Sequence, residues 1–161
     1  MIRGMGKTVS VGFGVQFFWA YDVSFGILIL EAIDVAAGMS QPDGAGEVLD
    51  GLRAHAQVGA SWALALDDDR WSPPQREFVH RIIAEAGRRL RERGIMPRIE
   101  AETRYVAGNE PFALRFEEHV DGAVVADLAE AMNHLIHDEL PPVPDVGHHW
   151  FYGVEGGPLT I

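Results

Sequence analysis

Apolar and polar residues alternate strictly near the start of the chain. Val9, Val11, Phe13, Val15 and Phe17 alternate with Ser10, Gly12, Gly14 and Gln16. A period of two places one residue set on a single strand face, so residues 8–19 are expected to form a half-buried strand. The same alternation argues against reading Arg3, Lys7 and the following apolar run as an export signal. The apolar run 25–37 carries Glu31 and Asp34 and is too short to span a bilayer. It reads as a helix capped by Asp22 or Ser24 and stopped by Gly38, with a buried strand at 25–31 as the competing reading. Residues 39–46 form a loop, and 47–57 a short helix burying Val48, Leu49 and Leu52.

The next helix has the clearest signals. Ser72 stands at the capping position and Pro73 at the first helical one, where no amide hydrogen is needed. Phe78, Val79, Ile82, Ile83, Ala86 and Leu90 make one stripe at helical spacing, and Gly94 closes the element. A last helix over 123–140 carries Val124, Val125, Leu128, Met132, Leu135 and Ile136 inward, and prolines 141, 142 and 144 stop it. Strands are expected at 61–67, 98–105, 112–119 and 150–155, the middle two joined by a turn at Gly108 and Asn109.

The resulting order over residues 61–155 is βαββαβ, which resembles the ferredoxin-like split βαβ unit. The expected class is therefore α+β, an antiparallel sheet with helices on one face. The N-terminal 60 residues would add a strand and helices to the same single domain, 1–161. That architecture hosts catalysts, sensors and inhibitors alike, so function has to be argued from residues.

Length and composition suit a globular domain with a core of its own: 161 residues, 47% apolar and 23% charged. The absence of cysteine removes disulfides, thiol nucleophiles and thiolate metal sites, and the simplest expectation is a cytoplasmic protein. The formal net charge is −11, unevenly spread. Residues 1–69 carry three basic and nine acidic groups, 70–104 nine and five, and 105–161 one and ten. A chain this acidic disfavours direct nucleic-acid binding, because affinity for phosphate rests on Lys and Arg.

Few motifs carry chemistry. Gly6-Lys7-Thr8 ends like a phosphate loop but lacks the earlier glycine and the preceding strand. No serine sits in a nucleophile elbow. Asp67, Asp68 and Asp69 follow an expected strand, where hard oxygen ligands could hold Mg²⁺. That placement is similar to palm-type polymerases and nucleotide cyclases, but the resemblance implies further acids at the central hairpin. Residues 106–110, Val-Ala-Gly-Asn-Glu, lack the expected pair of aspartates. Glu130, His134 and His137 share one face of the last helix, and with His148 they form a candidate metal or acid–base set. No cofactor motif is complete.

Three functional classes remain. The first is a small acidic binder or inhibitor of a basic macromolecular partner, of toxin-immunity or anti-defence type. Its contact residues would be Asp67, Asp68, Asp69, Glu117 and Glu118, with Trp71 as an exposed anchor. The second is a metal- or His-dependent enzyme using the Glu130, His134 and His137 face. The third is a small-molecule-binding or structural subunit that dimerises through its sheet.

Overall fold

The computed structural model describes residues 8–56, 63–107, 110–111, 118–142 and 149–152. Its first element corrects the single long strand. Residues 8–19 fold as part of a hairpin, β1 (Thr8–Phe13) and β2 (Gln16–Tyr21), around a two-residue turn. Gly14 opens that turn at φ 62°, the left-handed conformation that glycine adopts at no steric cost and that matches strand twist. A two-residue turn pairs odd positions with even ones, as in Val11 with Phe18 and Gly12 with Phe17. The apolar phase therefore reverses. Val9, Val11, Phe18 and Ala20 are buried, whereas Phe17, Trp19 and Tyr21 turn to the other face.

Residues 22–37 are helical, as expected, and α1 (Asp22–Ala37) ends at Gly38, but neither Asp22 nor Ser24 caps it: both lie inside the helix, and Tyr21 holds the capping position with no side-chain bond. The second helix, α2 (Ala45–Ala56), buries Val48, Leu49 and Leu52. A two-residue strand, β3 (Leu64–Ala65), precedes α3 (Pro73–Arg93). Ser72 and Gln75 form a reciprocal capping box at the start of α3, and its expected apolar stripe is buried.

Beyond α3 the chain departs from the expected hairpin. Strand β4 (Ile95–Pro97) leads into a helix, α4 (Arg98–Arg104), in place of the strand expected at 98–105. The buried positions explain the correction. Ala101 and Tyr105, four apart, point inward, while Ile99 stands in solvent, so the segment has a helical period and not a strand's. Arg98 and Glu102 add an i,i+4 pair along α4. Two short strands, β5 (Val106–Ala107) and β6 (Glu110–Pro111), pair antiparallel, and the turn expected at 108–109 lies outside the described residues. Of the strand expected at 112–119, residues 112–117 lie outside the described residues. Strand β7 (His119–Asp121) pairs antiparallel with β4. Helix α5 (Gly122–Ile136) ends earlier than expected, at His137, and β8 (Trp150–Phe151) lies within the expected final strand.

The class is α+β. Its main sheet runs β3-β1-β2-β8, with β3 parallel to β1 and the other pairings antiparallel. The ferredoxin-like pairing over 61–155 is not confirmed. Strands β3 and β8 flank the N-terminal hairpin, which takes the centre of the sheet. Helices α1 and α5 lie against the sheet, and α3 packs on both. The α3–α5 crossing is close, since a side chain at Gly87 would meet Ala129 and one at Gly122 would meet the Leu90 carbonyl. The buried core runs from Val9 to Tyr152. No helix among the described residues is long and apolar enough to cross a membrane.

Candidate functional site

Helix α3 divides the molecule into two ends. At 21 residues it spans about 30 Å, separating the acidic loop before Ser72 from the β4–β7 ladder after Gly94.

At the first end, Asp67, Asp68 and Asp69 are fastened to the hairpin. Leu66 donates its amide to the Gly12 carbonyl at 2.8 Å, and the Asp67 carboxylate accepts the Gly14 amide at 3.0 Å. Arg70 clasps Asp68 through its backbone amide, Nε and Nη2, at 2.9, 3.1 and 2.7 Å. That hydrogen bonding holds the Asp68 carboxyl below the usual carboxylate range, against the opposing effect of burial. On α3, His80 donates from Nε2 to the Leu66 carbonyl at 2.7 Å. Burial pushes its imidazole below the ordinary value, more than that bond raises it. Asp69 is left exposed. Val15, at the hairpin tip, is 96% exposed and Phe17 51%. An apolar tip therefore stands beside an acidic loop that backbone contacts hold rigid. Trp71 is not the free anchor expected of it; it is half-buried and packs against the core.

The remaining partner candidates lie elsewhere. Glu118 is exposed at the far end of α3, its carbonyl accepting the Arg98 amide at 3.0 Å. Glu117 and His148 fall outside the described residues. On α5, Glu130 pairs with Arg91 at 2.9 Å, and His134 faces Glu139 at 3.6 Å. His137 bonds through Nδ1 to the Asn133 carbonyl of its own helix at 2.8 Å. Among the described residues no group of three or more His, Asp or Glu is arranged to hold a metal ion.

The arginines in the last turns of α3 are paired with acids. Arg89 reaches Asp34, Arg91 reaches Glu130 and Arg93 reaches Glu31, while Arg88 pairs with Glu85 and Glu92 on α3 itself. Acidic helices on both sides draw these cations sideways, so the row links α1 and α5 across α3.

The second end holds a groove of about 630 Å³ between α1 and α4. Leu30, Ile33, Ile99 and Val106 supply its apolar lining, and Glu31 with Tyr105 lies at its base. Glu31 is only 1% exposed. It accepts from Arg93 Nε and Nη2 at 3.1 and 2.8 Å and from the Tyr105 hydroxyl at 2.7 Å. Burial, then the Glu31 carboxylate, pushes the Tyr105 phenol well above its ordinary value, so it stays a donor at any physiological pH. The trio forms a hydrogen-bonded base to the groove.

A third feature is a serine–histidine contact. The Ser24 hydroxyl lies 2.5 Å from His149 Nδ1, and Tyr21 donates its amide to the His149 carbonyl at 3.0 Å. A nucleophile–base pair has this spacing. Ser24, however, is 5% exposed, closed off from a substrate, and the contact ties β8 to the start of α1.

Two of these features escape the sequence reading in different ways. Val15 and Phe17 are hidden by the hairpin reversal, which Gly14 inside an otherwise unbroken alternation signals. Glu31 is legible as a carboxylate inside an apolar run, but its partners lie 62 and 74 residues away. Comparison of the chain with protein-family models, characterised proteins and solved structures finds no match.

Proposed function

We propose that this chain is a small acidic cytoplasmic binding protein that engages a basic macromolecular partner, in the manner of an immunity protein or an inhibitor of a host defence complex. The observation that carries this reading is the hairpin tip, where exposed Val15 and Phe17 stand beside the rigid loop of Asp67, Asp68 and Asp69. Apolar anchors with an acidic rim suit a partner presenting apolar side chains among Lys and Arg. The net charge of −11 would steer such a partner and speed its association. A rigid loop also reduces the ordering cost of binding. The metal reading of α5 has weaker support, because Glu130 and His137 already have partners.

The test places a photo-crosslinking residue at Val15, and at Glu77 as control, in the native host. The expected result is one basic protein crosslinked from position 15 alone. Its affinity for the purified chain should fall as salt rises from 50 to 500 mM, and fall further in a Val15→Ser/Phe17→Ser variant. Equal crosslinking from both positions, or salt-independent binding, would overturn the proposal.

A further inference from the structure

We infer that the groove between α1 and α4 binds a small apolar zwitterion, meaning an apolar amino acid or a short apolar peptide with free termini. Its volume of about 630 Å³ falls within the range of small-molecule sites. The apolar lining includes two side chains that stand in solvent. Ile99 is 77% exposed and Val106 is also exposed, so a bound apolar group would cover surface that the fold leaves wet. Charges of both signs line the groove, with Glu100 of α4 and Arg53 of α2 among them. Helix α1 contributes Glu31 and Asp34, and Arg104 of α4 stands opposite. Arg93 and Arg89 of α3 hold those two α1 carboxylates in place.

Asp34, exposed on the same groove, meets Arg89 only at 3.4 Å, which leaves its carboxylate acceptor positions for a ligand ammonium. Arg104 makes no hydrogen bond or ion pair among the described residues. Its guanidinium is therefore available to a carboxylate, which it can grip at two points. A purely anionic ligand would meet the α1 acids, and a purely cationic one would meet Arg104 and Arg53. A ligand carrying both charges about an apolar body satisfies the whole lining. The groove lies at the opposite end of α3 from the hairpin tip, so this site stands or falls independently of the partner proposed above.

Calorimetric titration of the full chain tests it with L-leucine, the dipeptide Leu-Leu, and the N-acetylated, C-amidated form of each. At least one free-termini ligand should bind, with its blocked form about tenfold weaker or more, because blocking removes both charge-assisted contacts. The tighter of leucine and Leu-Leu distinguishes an amino-acid site from a peptide site. Arg104→Ala should weaken binding by a similar factor without moving the melting temperature of the free protein. Ile99→Ser, also on the surface, should weaken it too. No binding by either free-termini ligand, or affinity unchanged by blocking the termini or by Arg104→Ala, would overturn the inference.

Discussion

Arg93, in the last turn of α3, meets Glu31 of α1 through two hydrogen bonds, Nε to Oε1 at 3.1 Å and Nη2 to Oε2 at 2.8 Å. The carboxylate is buried and the guanidinium half-buried, so removing one partner strands a charge in a low-dielectric site. Arg93→Met is expected to destabilise the fold by about 3 kcal/mol, the lower end for a broken buried pair. The double variant Glu31→Leu/Arg93→Met should recover most of that loss, because two apolar residues need no partner. Urea unfolding of the three proteins measures the difference. Equal stability of wild type and Arg93→Met would show that the pair carries no net energy.

Tyr105 supplies the third hydrogen bond to Glu31, at 2.7 Å from within the core. Tyr105→Phe keeps the ring packing and deletes only the donor to a charged acceptor. The expected cost is about 2 kcal/mol, read from the urea midpoint at constant slope.

Two glycines should respond oppositely to alanine. At Gly122 an added Cβ would lie 2.0 Å from the Leu90 carbonyl oxygen and 2.8 Å from that of Gly94, so α3 and α5 must separate. Gly122→Ala should cost about 3 kcal/mol. Gly51 is exposed inside α2 with open space around it, and Gly51→Ala should add about 0.5–1 kcal/mol through helix propensity. Paired unfolding curves check the contrast, and a neutral Gly122→Ala would contradict the close α3–α5 approach.

His80 predicts a pH dependence. Its folded-state pKa lies below the usual value of about 6.5, chiefly because burial disfavours the imidazolium. As pH falls past about 6.5 the unfolded chain takes up this proton before the folded one does. The stabilisation is therefore complete above that pH and is lost on the way down to the folded-state value. The melting temperature of wild type should fall between pH 7 and 5.5, and His80→Gln, which can still donate to Leu66, should flatten that slope. Asp68 and Glu85, held low by arginine hydrogen bonds, lose their contributions in a separate and more acidic window.

The capping box at Ser72 offers a local test. Ser72 Oγ accepts the Gln75 amide at 3.3 Å, and Gln75 Oε1 accepts the Ser72 amide at 2.8 Å. Ser72→Ala should cost about 1 kcal/mol. Gln75→Ala should cost somewhat more, because Gln75 also donates to the Asp43 carbonyl at 3.1 Å.

Elements whose signals are local are legible in the order of residues alone. Ser72, Pro73 and Gly94 bound α3, and the stripe from Phe78 to Leu90 orients it, because caps and 3.6-residue periodicity act within a few positions. The helix over 22–37 and the α+β class rest on the same kind of signal. Local pattern fails where one segment satisfies two periods. Ile99, Ala101, Thr103 and Tyr105 alternate like a strand, yet only Ala101 and Tyr105 find the core, and their spacing of four makes the segment helical.

The candidate sites are legible only in pieces. Asp67, Asp68 and Asp69 stand out as an acidic group, but their neighbours Val15 and Phe17 are about 50 residues away and reach solvent through a parity change at one turn. Glu31 stands out as an acid among apolar residues, while Arg93 and Tyr105 have nothing local to mark them as its partners.

By itself the sequence determined α3 with its caps, the inward faces of α2, α3 and α5, the strongly acidic balance and the lack of thiol chemistry. All of these follow from residue type and short-range spacing. Tertiary structure alone decided that the N-terminal hairpin takes the centre of the sheet, that Arg89, Arg91 and Arg93 of α3 pair with its neighbours, and that a groove lies between α1 and α4. Strand partners and ion pairs are chosen by which buried surfaces fit together across the chain, and spacing along the sequence carries no record of that choice.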